Sequence, residues 1–166
     1  TGIEPDAGSS GAMSTPAAED EAITYHLTGY DRFFDPDGYP AVEPPWGTLN
    51  AINMNNGEYV WQIPLGEHPE LVAQGLVNTG SENYGGPVVT STGLLFIGAT
   101  LFDQKLRAFE AATGKLLWEY EMPYSGMATP AVYMAEGRQY LVIGISNARN
   151  QKGKQVSAYI AFALPD

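Results

Sequence analysis

The chain has 166 residues, is 44% hydrophobic and carries a formal net charge of −11. That acidity argues against a nucleic-acid partner, which needs a basic footprint, and against docking on an anionic membrane surface. The absence of cysteine removes disulfides and thiolate metal sites, and no apolar run approaches the roughly 20 residues of a membrane-spanning helix. Glycine (19) and proline (12) are plentiful while long helical periodicity is missing, so many short strands and an all-β fold are expected.

Residues 1–21 are rich in Gly, Ser, Pro, Ala and acidic side chains. Such a composition buries too little apolar surface to offset ordering, which predicts a mobile tail or long surface loop. Residues 22–166 then hold the strands. Ile23 to Thr28 reads as a short strand carrying His26. Asp31, Asp35 and Asp37 follow around Pro36 and Gly38. Three carboxylates so close invite a calcium reading, but the glycine stands at the wrong offset for an EF-hand loop and no glutamate closes it. The turn chemistry of Asp-Pro-Asp-Gly gives the plainer reading.

Trp46 sits in a loop before Ala51-Ile52-Asn53-Met54-Asn55-Asn56-Gly57-Glu58-Tyr59-Val60-Trp61. The same pattern returns as Ala108-Phe109-Glu110-Ala111-Ala112-Thr113-Gly114-Lys115-Leu116-Leu117-Trp118, with Ala, Gly and Trp at identical offsets. Each copy reads as strand, turn and strand, and repetition on this scale implies a solenoid or propeller. Pro64 to Thr79 connects the two with little pattern. His68 lies there without a visible nucleophile or orienting partner, so a structural role is expected for it and for His26.

Asn83-Tyr84-Gly85-Gly86-Pro87 opens the second unit. Paired glycines before a strand mark a bulge or a close approach of a ligand to the backbone, and both readings stand at this point. Gly86-Pro87-Val88-Val89 before an apolar strand is echoed by Thr129-Pro130-Ala131-Val132 before Tyr140-Leu141-Val142-Ile143. Asn147 to Lys154 is a polar, basic loop without the spacing of a phosphate-binding loop. Ala161-Phe162-Ala163 echoes Ala108-Phe109-Glu110. The units divide at about 44–63, 85–121 and 127–166, a partial β-propeller of two to three blades. The repeated tryptophan fills the wedge between blades at the wider rim. Trp61 and Trp118 are therefore expected to be buried, and Trp46 to lie near the rim or the axial face.

The repeats resemble the tryptophan-docking motif of quinoprotein dehydrogenases, in which Ala, Asp, Thr, Gly, Lys or Glu, and Trp recur at fixed spacing. Ala108, Thr113, Gly114, Lys115 and Trp118 match it, with Glu110 at the aspartate position. Ala51, Gly57, Glu58 and Trp61 match, with Asn53 and Asn56 departing. The run from Pro44 to Asp166 is similar to the C-terminal part of the membrane-associated glucose-dehydrogenase branch, which uses pyrroloquinoline quinone (PQQ).

The resemblance implies a parent enzyme, periplasmic or otherwise extracytoplasmic, that depends on PQQ and calcium and oxidises an aldose or other alcohol. It implies that the loop Tyr84, Gly85 and Gly86 lies on the quinone face and offers a backbone amide to a quinone carboxylate. Nothing in the chain matches the family stretches that carry the catalytic aspartate, the calcium ligands or the lysine beside the quinone, so no catalytic or metal-ligating residue is assigned. The segment alone is expected to be inactive, to bind neither quinone nor calcium, and not to insert into a membrane. Its expected partners are the remaining blades of the parent, a small sugar or alcohol, and a second copy of itself. The alternative is a non-catalytic propeller scaffold for protein binding.

Overall fold

Three antiparallel sheets follow one another along the chain, each made of strands adjacent in sequence. They belong to a computed structural model that describes residues 29–30, 32–147 and 154–164. The expected tail, the strand at Ile23–Thr28, His26 and Asp31 lie outside the described residues. The chain divides into units Thr1–Arg32 and Phe33–Asp166, and the architecture below is that of the second.

The first sheet pairs β1 (Thr48–Ile52) with β2 (Tyr59–Pro64). A short helix, α1 (Pro69–Val72), interrupts the connection that follows, where the sequence shows no periodicity. The second sheet orders β3 (Val88–Val89), β4 (Leu94–Ile97), β5 (Lys105–Glu110) and β6 (Leu116–Glu121) as a four-stranded meander. The third is β7 (Ala131–Ala135), β8 (Arg138–Ser146) and β9 (Ser157–Ala163). This is a partial β-propeller, with one complete four-stranded blade between two shorter sheets.

Register explains the sequence repeat. Ala51 pairs with Trp61 and Ala108 with Trp118, and a register shift follows the alanine in both hairpins. The repeat is thus a repeat of pairing, not only of composition.

Two cores lie between the sheets, and the middle blade supplies both by alternation. Leu95, Ile97 and Phe109 pack with Leu49 and Leu65 against the first sheet. Phe96, Leu106 and Val88 join Leu141, Ile143, Ile145, Ile160 and Phe162 on the other side.

Trp61 docks on the next blade as the wedge argument requires, but it is half-buried rather than fully buried. Its indole N–H donates to the Ala111 carbonyl at 3.0 Å. A Cβ added at Gly114 would stand 2.8 Å from the indole ring, and Gly114 has φ +71°. Glycine is required twice over there, for the turn and for the ring above it.

Trp118 differs from expectation: it is 40% exposed. No turn equivalent to Ala111–Gly114 covers it among the described residues. Its ring meets Phe162 edge-on at 5.7 Å and stacks on Tyr120 at 6.1 Å, so it has one wall where Trp61 has a floor. Trp46 lies in a loop, as expected, stacked on Tyr39 at 5.8 Å.

Candidate functional site

Antiparallel pairing puts the long connections, residues 65–87, 98–104 and 122–130, at one end of the sheets, and the tight turns at the other. The buried polar side chains gather at the long-loop end: His68, Thr79, Ser81, Thr100, Asp103, Arg107, Ser125 and Asn147. Buried polar groups need partners: Thr100, Asp103, Arg107 and Ser125 have them, whereas the buried Thr79 and Ser81 hydroxyls have none among the described residues.

Asp103 is the hub. Its carboxylate accepts from the Thr100 hydroxyl, the Arg107 guanidinium, the Glu67 N–H at 3.1 Å and the Lys105 N–H at 3.3 Å. Four donors saturate the acceptor sites of one carboxylate. The Asp103–Arg107 pair is almost fully buried, with Glu119 at 3.9 Å from Arg107 Nε. Its chemistry is structural: it fixes the 98–104 loop against the chain arriving from the first sheet.

His68 is buried among aromatic rings. It stacks on Phe102 at 4.4 Å and meets Tyr39 and Trp46 edge-on at 5.2 and 5.4 Å. Burial pushes its imidazole below the ordinary 6.5, opposed by the Glu70 and Asp103 carboxylates. Asp35 accepts from the N–H groups of Asp37 and Tyr39 at 3.0 and 2.9 Å, the geometry of a side-chain-capped turn. Among the described residues no three His, Cys, Asp or Glu side chains come together in a way that could hold a metal ion.

Tyr84, Gly85 and Gly86 stand at this loop end, leading into β3 at the edge of its sheet opposite the Trp118-bearing β6. The Tyr84 N–H donates to the Ala99 carbonyl at 2.8 Å, and its phenol donates to Glu82. Gly86 N–H is taken by Thr129 Oγ1 at 3.0 Å, from the equivalent loop of the next sheet. Pro87 has no N–H to give. Gly85 is exposed, and its N–H has no acceptor among the described residues.

What comes close at these glycines is the loop of the next sheet. A Cβ at Gly85 would lie 2.4 Å from the Met127 carbonyl oxygen, and Gly85 has φ +78°. At Gly86 a Cβ would meet only Thr129 Oγ1, at 3.6 Å. Gly85 is therefore obligatory and Gly86 is not. Met127 and Ala128 in turn border a cleft of about 480 Å³ with Ser125, Gly144, Ser146 and Tyr159. A second cleft, about 470 Å³, lies between the second and third sheets beside Trp118 and Phe162. Neither is lined by Tyr84, Gly85 or Gly86.

A family model described as PQQ: glucose/ethanol/alcohol dehydrogenase, β-propeller domain, matches residues 3–141. The chain is 34% identical over 149 residues to a quinoprotein glucose dehydrogenase of Escherichia coli, covering 87% of this chain and 18% of that protein. It is 37% identical over 148 residues to a quinate/shikimate dehydrogenase (quinone) of Acinetobacter baylyi, covering 85% of this chain and 18% of that one. A solved quinohemoprotein alcohol dehydrogenase from Comamonas testosteroni aligns with 73% of this chain and 18% of its own, at 25% identity and a TM-score of 0.49. The chain thus spans under a fifth of the curated relatives it matches.

Proposed function

Because the chain belongs to the PQQ glucose/ethanol/alcohol dehydrogenase β-propeller family, we propose that it supplies blades to a dehydrogenase that oxidises an aldose or other alcohol. In this reading the parent binds PQQ and a divalent cation such as calcium, works outside the cytoplasm, and completes its ring with further blades. The reported relatives are named as dehydrogenases, which favours this over a non-catalytic scaffold.

The observation that carries the cofactor assignment is the Gly85 amide, exposed and without an acceptor among the described residues at the loop end of the sheets. PQQ is a flat, acceptor-rich tricarboxylate, and an unpaired N–H suits one of its carboxylates. The donor set therefore fits part of the quinone. The described residues offer no cluster of three His, Cys, Asp or Glu side chains for the cation, and we assign that ion to other parts of the parent. When bound, the quinone supplies hydride acceptance, while the protein binds and orients it. The part of this chain is orientation: the saturated Asp103 hub and the Gly86–Thr129 bond hold the loops on either side of the exposed Gly85, whose N–H keeps no acceptor among the described residues. Preorganised donors cost little reorganisation on binding.

The test is reconstitution. Apo parent enzyme given PQQ and calcium should reduce an artificial electron acceptor in an aldose- or alcohol-dependent way, while the 166-residue chain alone should show no turnover above a boiled control. Turnover by the isolated chain, or none by the reconstituted parent with any aldose or alcohol, would overturn the reading.

A further inference from the structure

We propose that the Thr129 hydroxyl and the Gly85 N–H form a two-donor cradle for one carboxylate of the quinone, with Thr129 also positioning the loop across the blade boundary. This rests on the reading that the quinone lies over the Tyr84–Gly86 loop.

The inference follows from an inventory of backbone donors. Along residues 84–87, Tyr84 N–H goes to Ala99, Gly86 N–H goes to Thr129, and Pro87 has none. Gly85 alone remains. Thr129 Oγ1 uses a lone pair to accept from Gly86, which leaves its one proton to donate. Thr129 is exposed, and its hydroxyl proton has no acceptor among the described residues. The free hydroxyl and the free amide are therefore neighbours, because Thr129 Oγ1 is 3.0 Å from the nitrogen next along the chain from Gly85. A carboxylate accepts only, so paired donors match it, and charge-assisted bonds are the stronger kind.

The two blades use one motif in two ways. Thr129-Pro130 enters β7 as Gly86-Pro87 enters β3. Threonine on one blade reaches back to glycine on the other, through the main-chain N–H that any residue but proline would offer at position 86. Gly86 thus serves the site by being fixed, and Gly85 by being free.

The full-length enzyme tests this with two variants. Thr129→Val keeps the shape and removes the hydroxyl; Thr129→Ser restores it. In apo enzyme the Gly86 amide should exchange with deuterium faster in the valine variant than in wild type or the serine variant. PQQ affinity of the apo enzyme, measured by titration, should fall about tenfold to a hundredfold in the valine variant, the range of a lost hydrogen bond to a charged group. The serine variant should bind within about threefold of wild type. Wild-type enzyme in which PQQ slows Gly85 exchange, paired with a valine variant that binds within twofold, would overturn this inference while leaving the site in place. Wild-type enzyme in which PQQ leaves Gly85 exchange unchanged would overturn the site itself, and this inference with it.

Discussion

Gly85 carries the argument at the level of single residues. Positive φ and the Met127 carbonyl at 2.4 Å from a built Cβ make any side chain there strained. Gly85→Ala should lower stability by about 1–3 kcal/mol and weaken PQQ binding by the parent, whereas Gly86→Ala should change stability by less than about 0.5 kcal/mol. Denaturant melts and a quinone titration check both. The paired glycines are legible in the sequence as a close approach, but not what approaches. Thr129 is hidden because a threonine before a proline reads as turn chemistry; only the alignment of Thr129-Pro130 with Gly86-Pro87 points to it. Asp103 and Arg107 are equally silent, since nothing local tells a buried charge pair from a solvated one. His68 gives a pH prediction. Burial holds its folded pKa below the unfolded 6.5, so the neutral form is the native one. That contribution to stability is complete above about pH 6.5 and is lost as pH falls through the folded pKa. His68→Phe keeps a ring among Tyr39, Trp46 and Phe102 and should flatten the loss of stability as pH falls below about 6.5 relative to wild type. Identical acid slopes in the two proteins would refute it.

At the level of elements, the tryptophan hairpins show what a sequence repeat does and does not encode. Ala51–Trp61 and Ala108–Trp118 repeat because they are registered pairs, and register depends on local pattern and turn. Burial of the ring depends on the next element, and there the two copies part. Trp61 rests on Ala111 and Gly114, while Trp118 has Phe162 and Tyr120 beside it and a cleft next to it. Trp61→Ala should therefore cost about 3 kcal/mol or more in this chain, near the range for large core aromatics. Trp118→Ala should cost about half as much, well under what the repeat alone implies. Urea melts with unchanged slopes would measure both, and equal losses would show that the docking turn adds nothing.

For the molecule as a whole, the sheets leave apolar surface facing away from the two cores. On the third sheet Ile160, Phe162, Leu141, Ile143 and Val132 face the second core. Ala131, Tyr133, Val142, Tyr159 and Ala161 alternate to the other side, with Tyr159 84% exposed. In the proposed parent another blade covers that face. In the isolated chain the expected substitute is a second copy, so light scattering should show a mass rising above 17.9 kDa with concentration. A mass fixed at the monomer value, with cooperative unfolding, would mean that the face tolerates solvent. The blade divisions are legible in the sequence because each unit repeats a whole supersecondary pattern. The roles of the joining loops are not, because their side chains answer to neighbours in other blades.

A crystal structure of the full-length protein with PQQ bound tests the functional reading most directly. It should place the Gly85 nitrogen about 2.7–3.2 Å from a quinone carboxylate oxygen, with Gly86 N–H still held by Thr129. A quinone lodged away from the Tyr84–Gly86 loop, with the Gly85 N–H bonded to another part of the protein, would contradict it.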